Sequence, residues 1–122
     1  MANSQNVLFR LRQLVTLDEE GAENALPLCG ICLEDVRCRL RETADPDDPR
    51  VAQAAAALAC YRLALRSVAD SDGSVSFKAG DVTVTRSPAA MIEYAAKMRD
   101  DAFIQAADLL TDSSFVFRQV GI

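Results

Sequence analysis

Apolar residues open the chain at three- and four-residue steps, Val7, Leu8, Leu11, Leu14 and Val15, the period of one helical face. Thr16 followed three residues later by Glu19 reads as a capping box, in which two side chains satisfy amide protons left free at a helix start. A second helix is therefore expected there, with Asp18, Glu19 and Glu20 near its positive end. Gly21 weakens it. Pro27 is expected to kink or break it, because proline has no amide proton and its ring clashes with the preceding turn. The stripe resumes at Leu28, Cys32, Val36 and Leu40, with Cys29 and Leu33 beside it, and predicts an amphipathic helix from about Leu28 to Glu42.

The stretch "TADPDDPR" is a connector holding Asp45, Pro46, Asp48 and Pro49, and Asp48 before Pro49 suits an N-cap and first helical position. In "VAQAAAALACYRLALRSVA", Val51, Ala55, Leu58, Arg62, Leu65 and Ala69 mark one edge and Ala54, Tyr61 and Val68 the other. So many alanines combine high helix propensity with little bulk, so neighbouring helices can approach closely. This block is expected to be the central helix, ended by "DSDGS", where Gly73 tolerates a left-handed backbone. Ser87 and Pro88 start a last long helix. Met91, Ala95, Met98, Ala102, Gln105 and Leu109 step down one side of it, flanked by Ile92, Ala96, Phe103, Ala106 and Leu110, over roughly 30 to 35 Å. The tail "SSFVFRQVGI" carries Phe115, Val116, Phe117, Val120 and Ile122, an apolar, β-prone ending.

Between the last two helices the period changes from 3.6 to 2. With Ala79 and Gly80 at a two-residue turn, Lys78 pairs with Asp81, Phe77 with Val82, Ser76 with Thr83 and Val75 with Val84. Phe77, Val82, Val75 and Val84 then share one face and Ser76 and Thr83 the other. Ala79 resists the positive φ that the tight turn demands, so a longer loop or a bulge stays open. A lone two-stranded ribbon is marginal in water, so its apolar face must rest on its own helices or on a neighbouring subunit.

The fold expected is mainly α: one domain over residues 1–122, a small bundle of about four helices. One β-hairpin, about 75–86, is inserted between the last two long helices, and an apolar tail covers about 113–122. The expected core comprises Leu28, Cys32, Val36, Leu40, Ala55, Leu58, Leu65, Ile92, Ala95, Phe103 and Ala106.

A chain of 122 residues, half apolar and a quarter charged, suits one compact core. Its formal charge of -5 opposes a broad grip on phosphate backbones, which needs clustered Lys and Arg. The short run Arg37, Arg39 and Arg41 is offset by Glu34, Asp35 and Glu42. No stretch approaches a membrane span, and Met1 to Val15 carries Asn, Gln and Arg where a signal peptide has its apolar region. The expected site of synthesis is a cytoplasm. The absence of histidine removes the commonest general base and metal ligand.

Four cysteines offer the only chemical motif, "CGIC" at Cys29 and Cys32 with Cys38 and Cys60 elsewhere. A thiolate set around zinc or an iron–sulfur cluster needs a second close pair, which is missing. A redox pair lacks its βαβ setting, although a helix N-terminus could lower a thiol pKa. On an apolar helix stripe cysteine serves as a small hydrophobe, and that reading is preferred. Adjacent carboxylates such as Glu19 and Glu20 or Asp100 and Asp101 diverge on a helix, and "GDVTVTRS" lacks the glycines and Lys of a phosphate loop. Met91 and Met98, Tyr61 and Tyr94 read as packing residues. No enzyme, metal or cofactor is expected.

The succession "ALACYRLAL", "VSFKAGDVTVTRS" and an Ala-rich, charged last helix resembles the small head-tail connector (head-completion or adaptor) proteins of long-tailed bacteriophages and prophages. The likeness covers roughly Val51 to Leu110; the N-terminal helices fit in order and length but not in motif. It implies a structural virion assembly protein that forms an oligomeric ring on the portal, joins head to tail and extends the DNA channel. It also implies a place at the virion head-tail interface, after synthesis in the bacterial host cytoplasm. The implied partners are further copies of itself, the portal protein, and the next connector or tail-completion protein; no membrane is involved and DNA passes without tight binding. Carried over by position, the hairpin residues Val75, Phe77, Lys78, Gly80, Asp81, Val82 and Val84 would contact a neighbouring subunit or ring. Phe115, Val116, Phe117 and Val120 of the tail could lie along the portal. The four cysteines depart from the family pattern, which neither needs nor explains them. The alternatives are a small cytoplasmic helical interaction or regulatory module that closes its apolar surface as a dimer, and a cysteine-based metal or redox protein.

Overall fold

The structure, a computed structural model, describes residues 3–70, 77–79, 82–84 and 88–111. Four α-helices dominate it: α1 (Ser4–Leu14), α2 (Glu19–Arg37), α3 (Pro49–Asp70) and α4 (Pro88–Gln105). The chain is a mainly helical bundle.

The capping residue of α1 is Asn3. Its side chain accepts from the Asn6 amide at 3.0 Å while the Asn6 side chain accepts from the Asn3 amide at 3.1 Å, a reciprocal closure of two free donors. The first apolar stripe then faces inward, with Val7, Leu11 and Val15 fully buried.

The second helix departs from the sequence reading at both ends and in the middle. Asp18, not Thr16, caps it, accepting from the Gly21 amide at 2.7 Å. Gly21 favours that cap: a Cβ there would stand 3.1 Å from the Asp18 carboxylate. Pro27 does not break α2, which runs through it without interruption. Pro27 and Glu23 are both exposed, so the single carbonyl left without a donor lies on the solvent side, where water can serve it. The helix ends at Arg37 rather than near Glu42. The chain then turns, and Leu40 forms an isolated antiparallel bridge to Leu110. The Arg41 amide donates to the Leu109 carbonyl and the Thr111 amide to the Arg39 carbonyl, both at 2.8 Å.

The third helix is the axis of the bundle. Asp48 caps it through its carboxylate, which accepts from the Arg50 amide at 2.9 Å. Val51, Ala52, Ala54, Ala55, Ala56, Ala57, Leu58, Ala59 and Cys60 are all buried. Burial on every side follows because α3 packs against α1, α2 and α4 at once, which the small alanine side chains permit.

α4 spans 18 residues, about 27 Å at helical rise, and stops short of the expected Leu109. A 3-10 turn over Ala107–Leu109 replaces its last turn and lets Leu109 and Leu110 both enter the core, where Leu110 meets Leu40.

Of the expected core, Leu28, Cys32, Val36, Ala55, Leu58, Ala95, Phe103 and Ala106 are buried, while Leu40 and Ile92 are half-buried at its edge. Leu65 is 40% exposed; it lies two turns past buried Leu58 on the same side of α3, next to exposed Arg66.

Between α3 and α4 the described backbone comprises Phe77–Ala79 (β1) and Val82–Val84 (β2). Their antiparallel register sets Phe77 opposite Val84, Lys78 opposite Thr83 and Ala79 opposite Val82. This register differs from the pairing read from the sequence, which sets Phe77 opposite Val82 and Lys78 opposite Asp81. The rest of the expected hairpin, including Val75, Gly80 and Asp81, lies outside the described residues. So does the tail with Phe115, Val116, Phe117 and Val120.

Candidate functional site

Three of the four thiols lie inside the bundle. Cys29 and Cys32 on α2 and Cys60 on α3 are fully buried, and Cys38, just past α2, is exposed. Burial, reinforced by the neighbouring Cys32, pushes the Cys29 thiol from an ordinary value of 9.0 to about 11. Burial alone takes Cys60 to about 12. Cys32 accepts from Arg62 Nη1 at 3.5 Å, yet burial outweighs the arginine's pull and its pKa also rises. Only the thiolate attacks or ligates, so these three groups pack as small hydrophobes at neutral pH. Among the described residues no three Cys, Asp or Glu side chains gather to hold a metal ion.

The thiols carry a pH dependence whose sign is fixed. Each is a neutral acid whose folded pKa lies above its unfolded one, so the native state holds protons that the unfolded chain releases. Stability is complete below about pH 9 and falls as pH rises towards 11 and 12. Thermal melts across that window should show a steep decline, and Cys60→Ala should flatten it. Equal slopes for parent and variant would refute the assignment.

Charged contacts fasten the helix ends. Arg62 Nη2 meets Asp35 Oδ2 at 2.7 Å and joins α3 to α2. Arg50 reaches further: it donates to Asp48 at 3.1 and 3.0 Å, to Asp108 at 2.8 Å and to the Gln105 carbonyl at 3.1 Å. These bonds hold the Asp48 carboxyl below its usual range and raise the Arg50 guanidinium. One side chain thus ties the start of α3 to the end of α4.

Arg99 is a different case, a cation with only 4% of its surface exposed. Its guanidinium carbon sits 4.2 Å from the centre of the Tyr61 ring, and its Nε and Nη2 reach Asp100 Oδ1 at 3.1 and 3.0 Å. The ring face attracts the cation most strongly where water is excluded. The sequence reading passed over this residue, although a signal was present: Met91, Ala95, Arg99 and Phe103 recur every four residues, which sets Arg99 inside the buried row.

Two adjoining concave stretches lie along α4. A groove of about 220 Å³ runs between α1, α3 and α4, lined by Leu14, Gln53, Ala57, Met98, Ala102 and Gln105. It shares Met98 and Asp101 with a depression of about 440 Å³ that continues past Lys97, Tyr94 and Ala90. Ala90, Tyr94, Met98 and Ala102 form one four-residue row, and Glu93, Lys97, Asp101 and Gln105 form a polar row beside it. Close to Gln105, Ile104 is 69% exposed. Such a lining can bind by shape and apolar contact; it assembles no nucleophile with a base.

No helix among the described residues is long and apolar enough to cross a membrane. Comparison with family models, with characterised proteins and with solved structures gives no match for this chain.

Proposed function

We propose that this protein is a structural connector subunit of a phage or prophage head-tail junction, which assembles as a ring beneath the portal and carries no catalytic activity. The observation that carries the reading is the succession "ALACYRLAL", "VSFKAGDVTVTRS" and an Ala-rich last helix. What supports it is the order of α3 and α4 on either side of that ribbon and the acidic balance of -5, which would let phosphates pass with little retention. In this reading the hairpin, about 75–86, reaches a neighbouring subunit with its valine and phenylalanine face, and the tail, about 113–122, lies along the portal. Heterologous contacts of this kind close into a ring when the rotation between copies permits.

Deleting Lys78–Asp81 tests it. The helices, whose core lies elsewhere, should persist by circular dichroism while assembly on the portal and virion yield collapse. Undiminished virion production by the deletion would overturn the interface role. A protein that stops at a twofold dimer at every concentration, and ignores portal, would favour the regulatory module instead.

A further inference from the structure

We infer that the outward face of α2 is a contact surface for a second copy of this chain, the two helices packing antiparallel about a twofold axis. The inference does not rest on the connector reading, whose contacts run through the hairpin and the tail. Glu20, Asn24, Pro27, Ile31, Glu34 and Cys38 are all exposed and follow one another at steps of 4, 3, 4, 3 and 4 residues. That spacing is the seam of a two-helix coiled coil. It lies on the side of α2 opposite the buried Ala25, Cys29, Cys32 and Val36, and the bundle leaves it in water. At its centre Ile31 is 57% exposed, one turn from exposed Pro27.

Charge selects the occupant and its direction. Glu20 and Glu23 stand at the start of α2, and among the described residues neither has an ion-pair partner. Arg37 ends the same helix, beside Glu34. A parallel copy would set Glu20 against Glu20 and Glu23 against Glu23. Turned end for end, the seam pairs Pro27 with Ile31, Asn24 with Glu34 and Glu20 with Cys38 of the second copy, each pair occurring twice. Glu23, flanking the seam, then faces Arg37 of the second copy, the position from which charges choose orientation. The face is therefore complementary to itself, as a twofold contact requires. Its apolar centre is small and its charged rim is exposed, so the dimer is weak.

Sedimentation equilibrium of the full chain under reducing conditions, from micromolar to millimolar concentration, should show a monomer–dimer equilibrium and nothing larger. Ile31→Asp should raise the dissociation constant at least tenfold and keep the parent's circular dichroism. Glu23→Arg and Arg37→Glu should each weaken the dimer several-fold, since either change sets like charges face to face. An equimolar mixture of those two variants should recover the parent's affinity as a heterodimer. A protein monomeric throughout, one that grows beyond a dimer, a dimer indifferent to Ile31→Asp, or a mixture no tighter than its components would overturn the inference. Ring assembly is scored on the parent chain with portal present, so the connector reading stands or falls on its own result.

Discussion

Leu58→Asp should unfold the protein, leaving a chain without a cooperative melt or far-ultraviolet helical signal. Leu58 is 5% exposed on the axial helix α3. Removing a buried leucine side chain costs about 2 to 5 kcal/mol, and an unpartnered carboxylate in its place adds several more. A domain of this size has only about 5 to 15 kcal/mol to lose. Leu65→Asp is the matched control, because it makes the same chemical change on the same helix at a position that is 40% exposed. Its expected cost is about 1 kcal/mol or less. Two variants that melt alike would show that α3 is not surrounded as described.

Arg99→Ala should be the next most damaging change, lowering stability by about 2 to 4 kcal/mol and the melting temperature by roughly 4 °C per kcal/mol. The loss has two sources. The guanidinium no longer covers the Tyr61 ring, 4.2 Å away, and its stem no longer fills the space between α3 and α4. Asp100, 43% exposed at its side chain, regains water, which keeps the penalty below that of a fully buried orphan charge. Arg99→Met should be milder than Arg99→Ala, since it restores volume without a charge to desolvate. Arg99→Lys should fall between them, because an ammonium neither stacks flat nor donates through a fork. Coupling to Tyr61, read from a double-mutant cycle of Arg99→Met with Tyr61→Leu, should exceed 0.5 kcal/mol. An Arg99→Ala protein with the parent's melting temperature would dismiss the buried cation as a structural element.

The helical architecture was legible in the sequence wherever one apolar period ran unbroken. Val7, Leu11 and Val15 needed only their spacing to be placed inside, and the alanine block identified α3 as central. Reading failed where a local rule met a tertiary circumstance. Pro27 looked like a breaker because its penalty was judged without knowing that its face of α2 meets water. Thr16 looked like a cap because Glu19 follows three residues later, whereas the helix is closed by the Asp18 carboxylate, which accepts from the Gly21 amide. Leu65 lies on the same side of α3 as buried Leu58 but two turns further along, where it is 40% exposed, since periodicity gives an angle and not a neighbour. The groove could not be read at all, because it depends on three helices that are far apart in sequence. The hairpin and tail residues, on which the functional reading rests, are legible as pattern and stay within the proposal.

The bond pair joining Leu40 to Leu110 has a bearing on biosynthesis. Those residues are 70 positions apart, so the stretch that follows α2 lacks this partner until Leu110 has left the ribosome. The early helices can gather as they emerge, because α1, α2 and α3 touch one another. The Ala-rich flank of α3 nonetheless waits uncovered for α4, and distant closures of this sort are slow to form. A nascent chain stalled before Thr111 should therefore be open to proteolysis and chaperone capture, and the emergence of Leu109 to Thr111 is the moment at which this bridge can close.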